Sequence, residues 1–203
     1  CIDPSSAIDV AKRNLINNHN CEFHHADVET MPLEDASMDF GYSLGVLHHV
    51  PDTQKAMVAC VKKLKPGAPF LVYLYYAFEN RPIWFRALWK LSNTIRRGVS
   101  SLPHGLRYFV SQIIAGIIYL PLARTSFFLE KCGLNVANIP LSAYRNRSFY
   151  TMRTDALDRF GTILEQRFTK NEINKMMETA GLENITFSKN TYWCAVGFRK
   201  NYK

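Results

Sequence analysis

Carboxylates and imidazoles stand at the ends of short apolar segments in the first quarter of the chain. Asp3 follows Cys1 and Ile2 at the end of a predicted strand, where its two carboxylate oxygens could accept hydrogen bonds from both hydroxyls of a ribose. The same side chain could instead open the turn into the next helix. Asp3 is therefore a candidate nucleotide ligand with a simpler structural alternative.

His48 and His49 are adjacent, and such a pair raises the question of a metal site. Neighbouring side chains point in different directions and no third ligand has suitable spacing, so we predict no metal site. His48 is a candidate general base for an acceptor that must lose a proton. The alternative for His48 is a structural histidine held by hydrogen bonds.

The segments around these residues alternate between strand and helix patterns. Apolar runs at residues 38–44 and 70–76 predict buried strands, and a shorter strand is predicted at 21–26. Residues 53–64 predict a helix with Asp52 as its N-cap. This alternation predicts an α/β fold with a mostly parallel sheet.

The same pattern returns near the C-terminus. Thr169 and Glu172 have the spacing of a capping box at the start of a helix. Residues 183–188 and 192–199 then predict two strands joined by a tight turn at 189–191. The sheet is therefore expected to finish in an antiparallel hairpin.

Positive charge is concentrated in the middle of the chain. The net charge is +8 overall, whereas residues 81–147 hold ten Lys or Arg against one acid, Glu130, which gives that segment +9. No strand is predicted there, so we expect an α-helical insert over residues 80–150. Its first helix is amphipathic, with an apolar face formed by Trp84, Leu88, Leu91 and Ile95.

A second apolar run lies at residues 106–121, and no charge occurs between Arg107 and Arg124. A transmembrane helix needs about 20 apolar residues, so this shorter run predicts a buried or interfacial helix. The insert could be a lid over an organic substrate, a membrane-surface element or a nucleic-acid platform. No RNA-binding motif accompanies it, which favours the lid and makes nucleic acid the weaker alternative.

Three runs together resemble one family: Ala-Asp-Val at 26–28, Leu-Glu-Asp-Ala-Ser-Met-Asp-Phe at 33–40 and Ser-Leu-Gly-Val-Leu-His-His at 43–49. They resemble the middle of class I S-adenosylmethionine-dependent methyltransferases, and an antiparallel hairpin is the usual ending of that family. The resemblance covers roughly residues 1–76 and 169–199. It implies a Rossmann-like fold, methyl transfer and S-adenosylmethionine as cofactor.

By this resemblance, three strand ends bind the cofactor. Asp3 would bind the ribose, Asp27 would accept a hydrogen bond from the adenine amino group, and the Val28 N–H would donate a hydrogen bond to a ring nitrogen of the adenine. Gly45 would let the backbone approach the methionine portion. The predicted cofactor-binding residues are Asp3, Pro4, Ala26, Asp27, Val28, Leu44, Gly45 and His49. Candidate substrate residues are Tyr75, Tyr76, Arg145 and Tyr150, near the end of the 70–76 strand and in the segment returning to the sheet.

The family's first strand and glycine-rich loop would lie before Cys1. We therefore expect one partial, N-terminally truncated methyltransferase domain over residues 1–203, lacking the central strand of its sheet and the main cradle of the methionine end. Such a chain is expected to bind the cofactor poorly by itself.

The expected function is methyl transfer from S-adenosylmethionine to a small or lipid-like organic molecule. The alternatives are an RNA methyltransferase and a non-catalytic binding fragment. Five dispersed cysteines without CxxC spacing predict reduced thiols and a cytoplasmic protein. The helical insert adds an expected peripheral contact with a membrane.

Overall fold

The chain divides into two units in the computed structural model, which describes residues 1–189 and 193–201. The first unit consists of Cys1–Asn80 together with Leu164–Lys203, and the second is Arg81–Ile163. The first unit holds every β-strand found in the described residues, and the second unit is helical.

A four-stranded sheet organises the first unit. Its strands are β3 (Gly41–Leu44), β4 (Pro69–Tyr73), β5 (Leu182–Phe187) and β6 (Ala195–Arg199), in the order β3-β4-β6-β5. β3 and β4 are parallel, whereas β6 runs antiparallel to both β4 and β5. The predicted α/β class and the antiparallel ending are confirmed. Asn190, Thr191 and Tyr192, in the predicted turn and at the start of its second strand, lie outside the described residues.

Two further strands form a separate small sheet. β1 (Ile2–Asp3) and β2 (His24–His25) pair in parallel, and among the described residues no ladder joins either of them to β3. One face of β3 and its flanking residues is exposed, and alternate positions there carry large apolar side chains: Phe40, Tyr42, Leu44 and Val46.

Three helices of the first unit are α1 (Ala7–Asn14), α2 (Thr53–Lys63) and α7 (Lys170–Thr179). The predicted caps are confirmed. The Asp52 carboxylate accepts from the Lys55 N–H at 2.9 Å, and Thr169 and Glu172 form the reciprocal capping box of α7. Apolar side chains of these helices and of the sheet form the core, among them Leu47, Met57, Leu64, Phe70, Val72, Ile173, Met177 and Leu182.

The second unit is built from α3 (Ile83–Ser100), α4 (His104–Ile114), α5 (Leu120–Lys131) and α6 (Phe149–Gly161). A π-helical turn over Ala115–Tyr119 joins α4 to α5. Pro121 lies two residues after this turn, and because proline lacks an N–H and crowds the carbonyl four residues earlier, the regular ladder widens there. The core of this unit is formed by Val99, Ile114, Ala115, Tyr119, Ala123, Met152, Ala156 and Phe160.

The sequence did not predict α6, which packs against α3 and α4. The predicted insert covers residues 80–150, and the helical unit observed here continues through α6 to Ile163. The continuous segment His104–Lys131 is long and apolar enough to cross a membrane by length and composition. One face of that segment packs into the core of the unit, and the opposite face is exposed.

Candidate functional site

Asp3 ends β1 and makes a local turn. Its Oδ1 accepts from the Ser5 N–H at 2.8 Å and from the Ser5 hydroxyl at 2.5 Å. These two bonds hold the pKa of the carboxyl below its usual value. Asp3 therefore does open the turn into the next helix. Its Oδ2 has no hydrogen-bond partner within the described residues and can still accept from a hydroxyl. Pro4, next to Asp3, offers its carbonyl to His25 Nε2 at 2.9 Å.

Asp27 lies just after β2 and Ala26, in extended conformation, ahead of a 3-10 turn over Val28–Thr30. Its carboxylate has no partner among residues 1–189 and 193–201. The Val28 N–H occupies the first position of the turn, where a helix has no carbonyl to offer its donors. A free carboxylate beside a free N–H fits an adenine edge, which presents an amino donor next to a ring-nitrogen acceptor.

Gly45 follows β3 and Leu44 in a left-handed conformation, with φ of +74°. Its N–H donates to the Tyr73 carbonyl at 3.0 Å, which holds the end of β3 against the end of β4. A Cβ at this position would meet only Tyr73 Cδ1, at 4.0 Å. The backbone conformation therefore requires glycine here, and the open space beside it leaves room for a ligand.

His48 is fully buried in the turn after β3. Its ring stacks on Tyr75 with centroids 3.7 Å apart, and neither ring nitrogen has a hydrogen-bond partner in the described chain. Burial, with a smaller contribution from His49, lowers the pKa of His48 to about 3. The predicted general base is thus a neutral ring inside an aromatic cluster, and its catalytic role stays a prediction that this geometry does not favour.

His49, unlike His48, has a ring nitrogen that makes a hydrogen bond. Its Nδ1 lies 2.7 Å from the Leu164 carbonyl oxygen, and because a carbonyl can only accept, Nδ1 carries the proton. Nε2 is then left as the acceptor of a neutral imidazole on a half-buried side chain. The two histidines therefore differ in function: His48 packs, and His49 can accept a proton.

A buried ion pair borders this cluster. Arg167 Nη2 lies 2.9 Å from Glu165 Oε1, and the Glu165 side chain is only 2% exposed. The Arg167 guanidinium also lies over two rings, 5.0 Å from the centroid of Tyr75 and 4.5 Å from that of Phe78. Tyr75 therefore lies between the His48 ring and the Arg167 guanidinium.

Sequence reasoning did not predict a role for residues 164–168, which run along the ends of β3 and β4. The Gln166 N–H donates to the His48 carbonyl at 3.1 Å, and the Phe168 N–H donates to the Tyr75 carbonyl at 2.9 Å. Gln166 Nε2 donates to the Val50 carbonyl at 2.7 Å. The sequence did contain a signal: the polar run Glu165 to Arg167 lies shortly before the Thr169 helix cap. The chain returns there to the sheet edge where α/β proteins bind ligands.

The four predicted substrate residues fall in different units. Tyr75 belongs to the aromatic cluster, whereas Tyr76 is buried against Phe78 and Trp193 and serves the core. Arg145 and Tyr150 belong to the helical unit. Arg145 forms a bidentate pair with Glu130, both bonds 2.7 Å long, and Tyr150 is exposed at the start of α6. Substrate roles for these residues stay predictions.

Comparison with known proteins matches part of the chain to one family. Residues 1–72 match the family model described as a methyltransferase domain. Over these residues the chain is similar to the class I S-adenosylmethionine-dependent methyltransferases. The cofactor of that family is S-adenosylmethionine. The free Asp3 Oδ2, the Asp27 carboxylate, the Val28 N–H and the open space beside Gly45 fit that molecule. Pro4, Ala26, Leu44 and His49 stay predicted ligands.

One curated relative is the sterol 4-C-methyltransferase strm-1 of Caenorhabditis elegans, 35% identical over 60 residues. The matched stretch is 30% of this chain and 18% of the relative. The chain therefore spans a small part of this relative's length.

Solved methyltransferase structures share the fold. A putative methyltransferase of Haloferax volcanii, in complex with the activator Trm112, has a TM-score of 0.53 at 12% identity, covering 98% of this chain and 71% of that one. A methyltransferase from Methanosarcina mazei gives 0.50 at 13%, covering 99% and 81%. Human N-acetylserotonin methyltransferase with S-adenosylmethionine gives 0.50 at 15%, covering 99% and 40%.

Proposed function

We propose that this protein transfers the methyl group of S-adenosylmethionine to an apolar, lipid-like organic acceptor. The observation that carries the proposal is the unpaired Asp27 carboxylate beside the Val28 N–H at the end of β2. The named activity of the C. elegans relative, which acts on a sterol carbon, supports the lipid-like class of acceptor.

Residues at three strand ends would each bind a different part of the cofactor. Asp27 and Val28 would bind the adenine, and Asp3 Oδ2 would accept from a ribose hydroxyl while Oδ1 stays with Ser5. Gly45 would leave its open side to the methionine portion. When bound, the cofactor supplies a methyl carbon on a sulfonium, which an acceptor attacks in line. The protein's task is then orientation and exclusion of water.

The aromatic cluster after β3 and β4 is the part of the site suited to an apolar acceptor. His48 is neutral, Tyr75 is stacked on it, and the charge of Arg167 is neutralised by Glu165. Tyr73 lies beside Tyr75, with centroids 6.1 Å apart. For an acceptor that loses a proton on methylation, His49 Nε2 is the group that takes it.

Transfer of a radioactive methyl group from S-adenosylmethionine tests this proposal. The chain is incubated with sterol-containing vesicles or with total RNA, and the label is counted after organic extraction and after RNA precipitation. We expect label in the organic phase, reduced at least about tenfold by Asp27→Asn. Asp39→Asn is the matched control, because Asp39 is an exposed acid that pairs with Lys65 outside the proposed site.

Label recovered in RNA would instead support the RNA methyltransferase alternative, which the +9 charge of the helical unit favours. Binding of S-adenosylhomocysteine without transfer to either acceptor would support a non-catalytic fragment. Equal loss of label in Asp27→Asn and Asp39→Asn would contradict the assignment of Asp27.

A further inference from the structure

Two exposed apolar stripes lie on the helical unit. The α3 stripe consists of Trp84, Leu88, Leu91 and Ile95, which are 46–60% exposed. The α4 stripe consists of Leu106, Phe109 and Ile113 on α4 and Ile117 in the π-helical turn that continues it, which are 42–71% exposed. The spacing of three or four residues places each stripe along a single face of its helix. Exposed apolar surface that runs along whole helix faces indicates an interaction site.

α3 packs against the rest of the unit through a mixed face that contains Trp89, Arg96 and Val99. Arg96 is buried there and donates from Nη1 to the Thr162 and Ile163 carbonyls at 2.6 and 3.1 Å. Arg159 of α6 lies over the Trp89 ring at 5.9 Å. Since Trp89 and Arg96 lie off the line of Trp84, Leu88, Leu91 and Ile95, the stripe points away from α6. An amphipathic helix normally buries its apolar face, and α3 exposes it.

The α4 stripe also lies opposite the contacts of its helix. Ser111 and Ile114 are buried in the unit, and Gln112 Oε1 accepts from Arg153 of α6 in a very short contact. The stripe residues lie on the face of the helix opposite Ser111, Gln112 and Ile114. Both stripes therefore remain uncovered while α6 occupies the opposite faces.

Charge is distributed to match this arrangement. Residues 81–129, which contain α3 and α4, hold seven Lys or Arg and no acid. The three acids of the unit are Glu130, Asp155 and Asp158, at the end of α5 and on α6. Three cations on the polar side of α3 are exposed and have no side-chain partner among the described residues: Arg86, Lys90 and Arg97.

We propose that the α3 stripe and the α4 stripe form a surface that docks on an anionic lipid bilayer. The apolar side chains would enter the boundary between headgroups and acyl chains, as those of interfacial amphipathic helices do. Trp84 suits the interfacial depth. The unpaired cations and the absence of acids on α3 and α4 supply the attraction to anionic headgroups.

The packing of the long helical segment favours docking over spanning. Ala115 and Ala123 are completely buried in the core that Met152, Ala156 and Phe160 complete. Insertion of His104–Lys131 across a bilayer would separate these contacts. Docking exposes the α4 stripe to lipid and keeps the core intact.

Two other occupants fit the surface less well. Nucleic acid is held mainly through phosphates by charged and polar groups, which leaves eight apolar stripe residues without a role. A second copy of the chain would bring two units of net charge +9 together, and that repulsion opposes association. The bilayer satisfies both the apolar area and the charge.

Co-sedimentation with phosphatidylcholine vesicles, with and without phosphatidylserine, tests the docking surface without any cofactor, so its failure is distinct from failure of methyl transfer. Wild-type chain should bind the anionic vesicles and dissociate as salt is raised. Ile117→Glu should weaken binding about tenfold. Ile16→Glu should not, although Ile16 and Ile117 are 72% and 71% exposed. Leu91→Glu repeats the test on α3.

A second measurement needs no charge substitution. Brominated lipids should quench the tryptophan fluorescence of the wild-type chain, and Trp84→Phe should remove most of that quenching. The proposal is overturned by an absence of anionic-vesicle binding, by equal weakening in Ile16→Glu and Ile117→Glu, or by a dimer that Ile117→Glu dissociates. Binding to RNA that both stripe variants retain would likewise overturn it.

Discussion

The His48 imidazole lies on the Tyr75 ring, with centroids 3.7 Å apart and planes inclined by 28°. Both ring nitrogens of His48 lack a partner within the described residues, although such donors and acceptors are usually satisfied when buried. The stack therefore depends on a neutral imidazole. Protonation would place an unpaired charge in the core beside Arg167.

Stability should consequently depend on the protonation of His48. The pKa of His48 is lowered from 6.5 to about 3, so between these values the unfolded chain holds a proton that the folded chain does not. The free energy of unfolding should fall as pH is lowered through this window, by up to about 1.4 kcal/mol per unit. Urea unfolding at several pH values measures the slope.

His48→Phe keeps an aromatic ring and removes the titrating group, so its slope between pH 6.5 and about 5, above the usual carboxyl range, should be shallower than that of the wild type. His19→Phe is the control because His19 is exposed. Identical slopes for wild type and His48→Phe would contradict the neutral stack.

The assignment of His49 predicts a kinetic effect. Glutamine can still donate to the Leu164 carbonyl but cannot take a proton, so His49→Gln should lower the methyl-transfer rate about 100-fold for an acceptor that loses a proton. Its pH–rate profile should also lose the acidic limb. His19→Gln should retain both rate and profile, and an unchanged profile in His49→Gln would exclude His49 as the base.

The buried ion pair predicts an asymmetric response to mutation. Arg167→Met removes the guanidinium that pairs with the buried Glu165 carboxylate, which should lower the free energy of unfolding by about 3–5 kcal/mol. The double variant Glu165→Gln with Arg167→Met should recover much of the loss. Lys65→Met, which breaks the exposed pair with Asp39, should cost less than about 1 kcal/mol. Equal losses in Arg167→Met and Lys65→Met would show that the pair near Tyr75 is not buried.

The cysteines should differ in reactivity. Burial raises the pKa of Cys60 to about 11, so little thiolate forms at neutral pH, whereas Cys1 and Cys132 are exposed. Brief alkylation with iodoacetamide followed by peptide mass spectrometry should label Cys1 and Cys132 well before Cys60. Labelling of Cys60 at the same rate under native conditions would contradict its burial.

Local signals in the sequence predicted much of the first unit. The Asp52 cap, the box of Thr169 with Glu172 and the apolar run around Val72 each depend on neighbouring residues, and each matches the structure. Such features need no long-range information. The adenine-binding role of Asp27 and Val28 came from the family resemblance instead, and it stays a prediction.

Features that depend on distant packing were not predictable. Nothing local to His48 distinguishes it from His49; contact with Tyr75 and the Leu164 carbonyl does. Periodicity correctly identified α3 as amphipathic, but it cannot say which face is buried, and the structure exposes the face that contains Leu91. α6 was missed because its few buried residues, such as Met152 and Ala156, have meaning only against α4.

The central claim is that Asp27, Val28 and Gly45 form a cofactor site. Amide chemical shifts of the isotope-labelled chain, followed during titration with S-adenosylhomocysteine, test it directly and detect weak binding. The account predicts that the amides of Asp27, Val28 and Gly45 shift together on one saturation curve, that Asp27→Asn weakens the curve, and that the helical unit does not respond. An absence of shifts at these three amides, or shifts confined to residues 81–163, would contradict it.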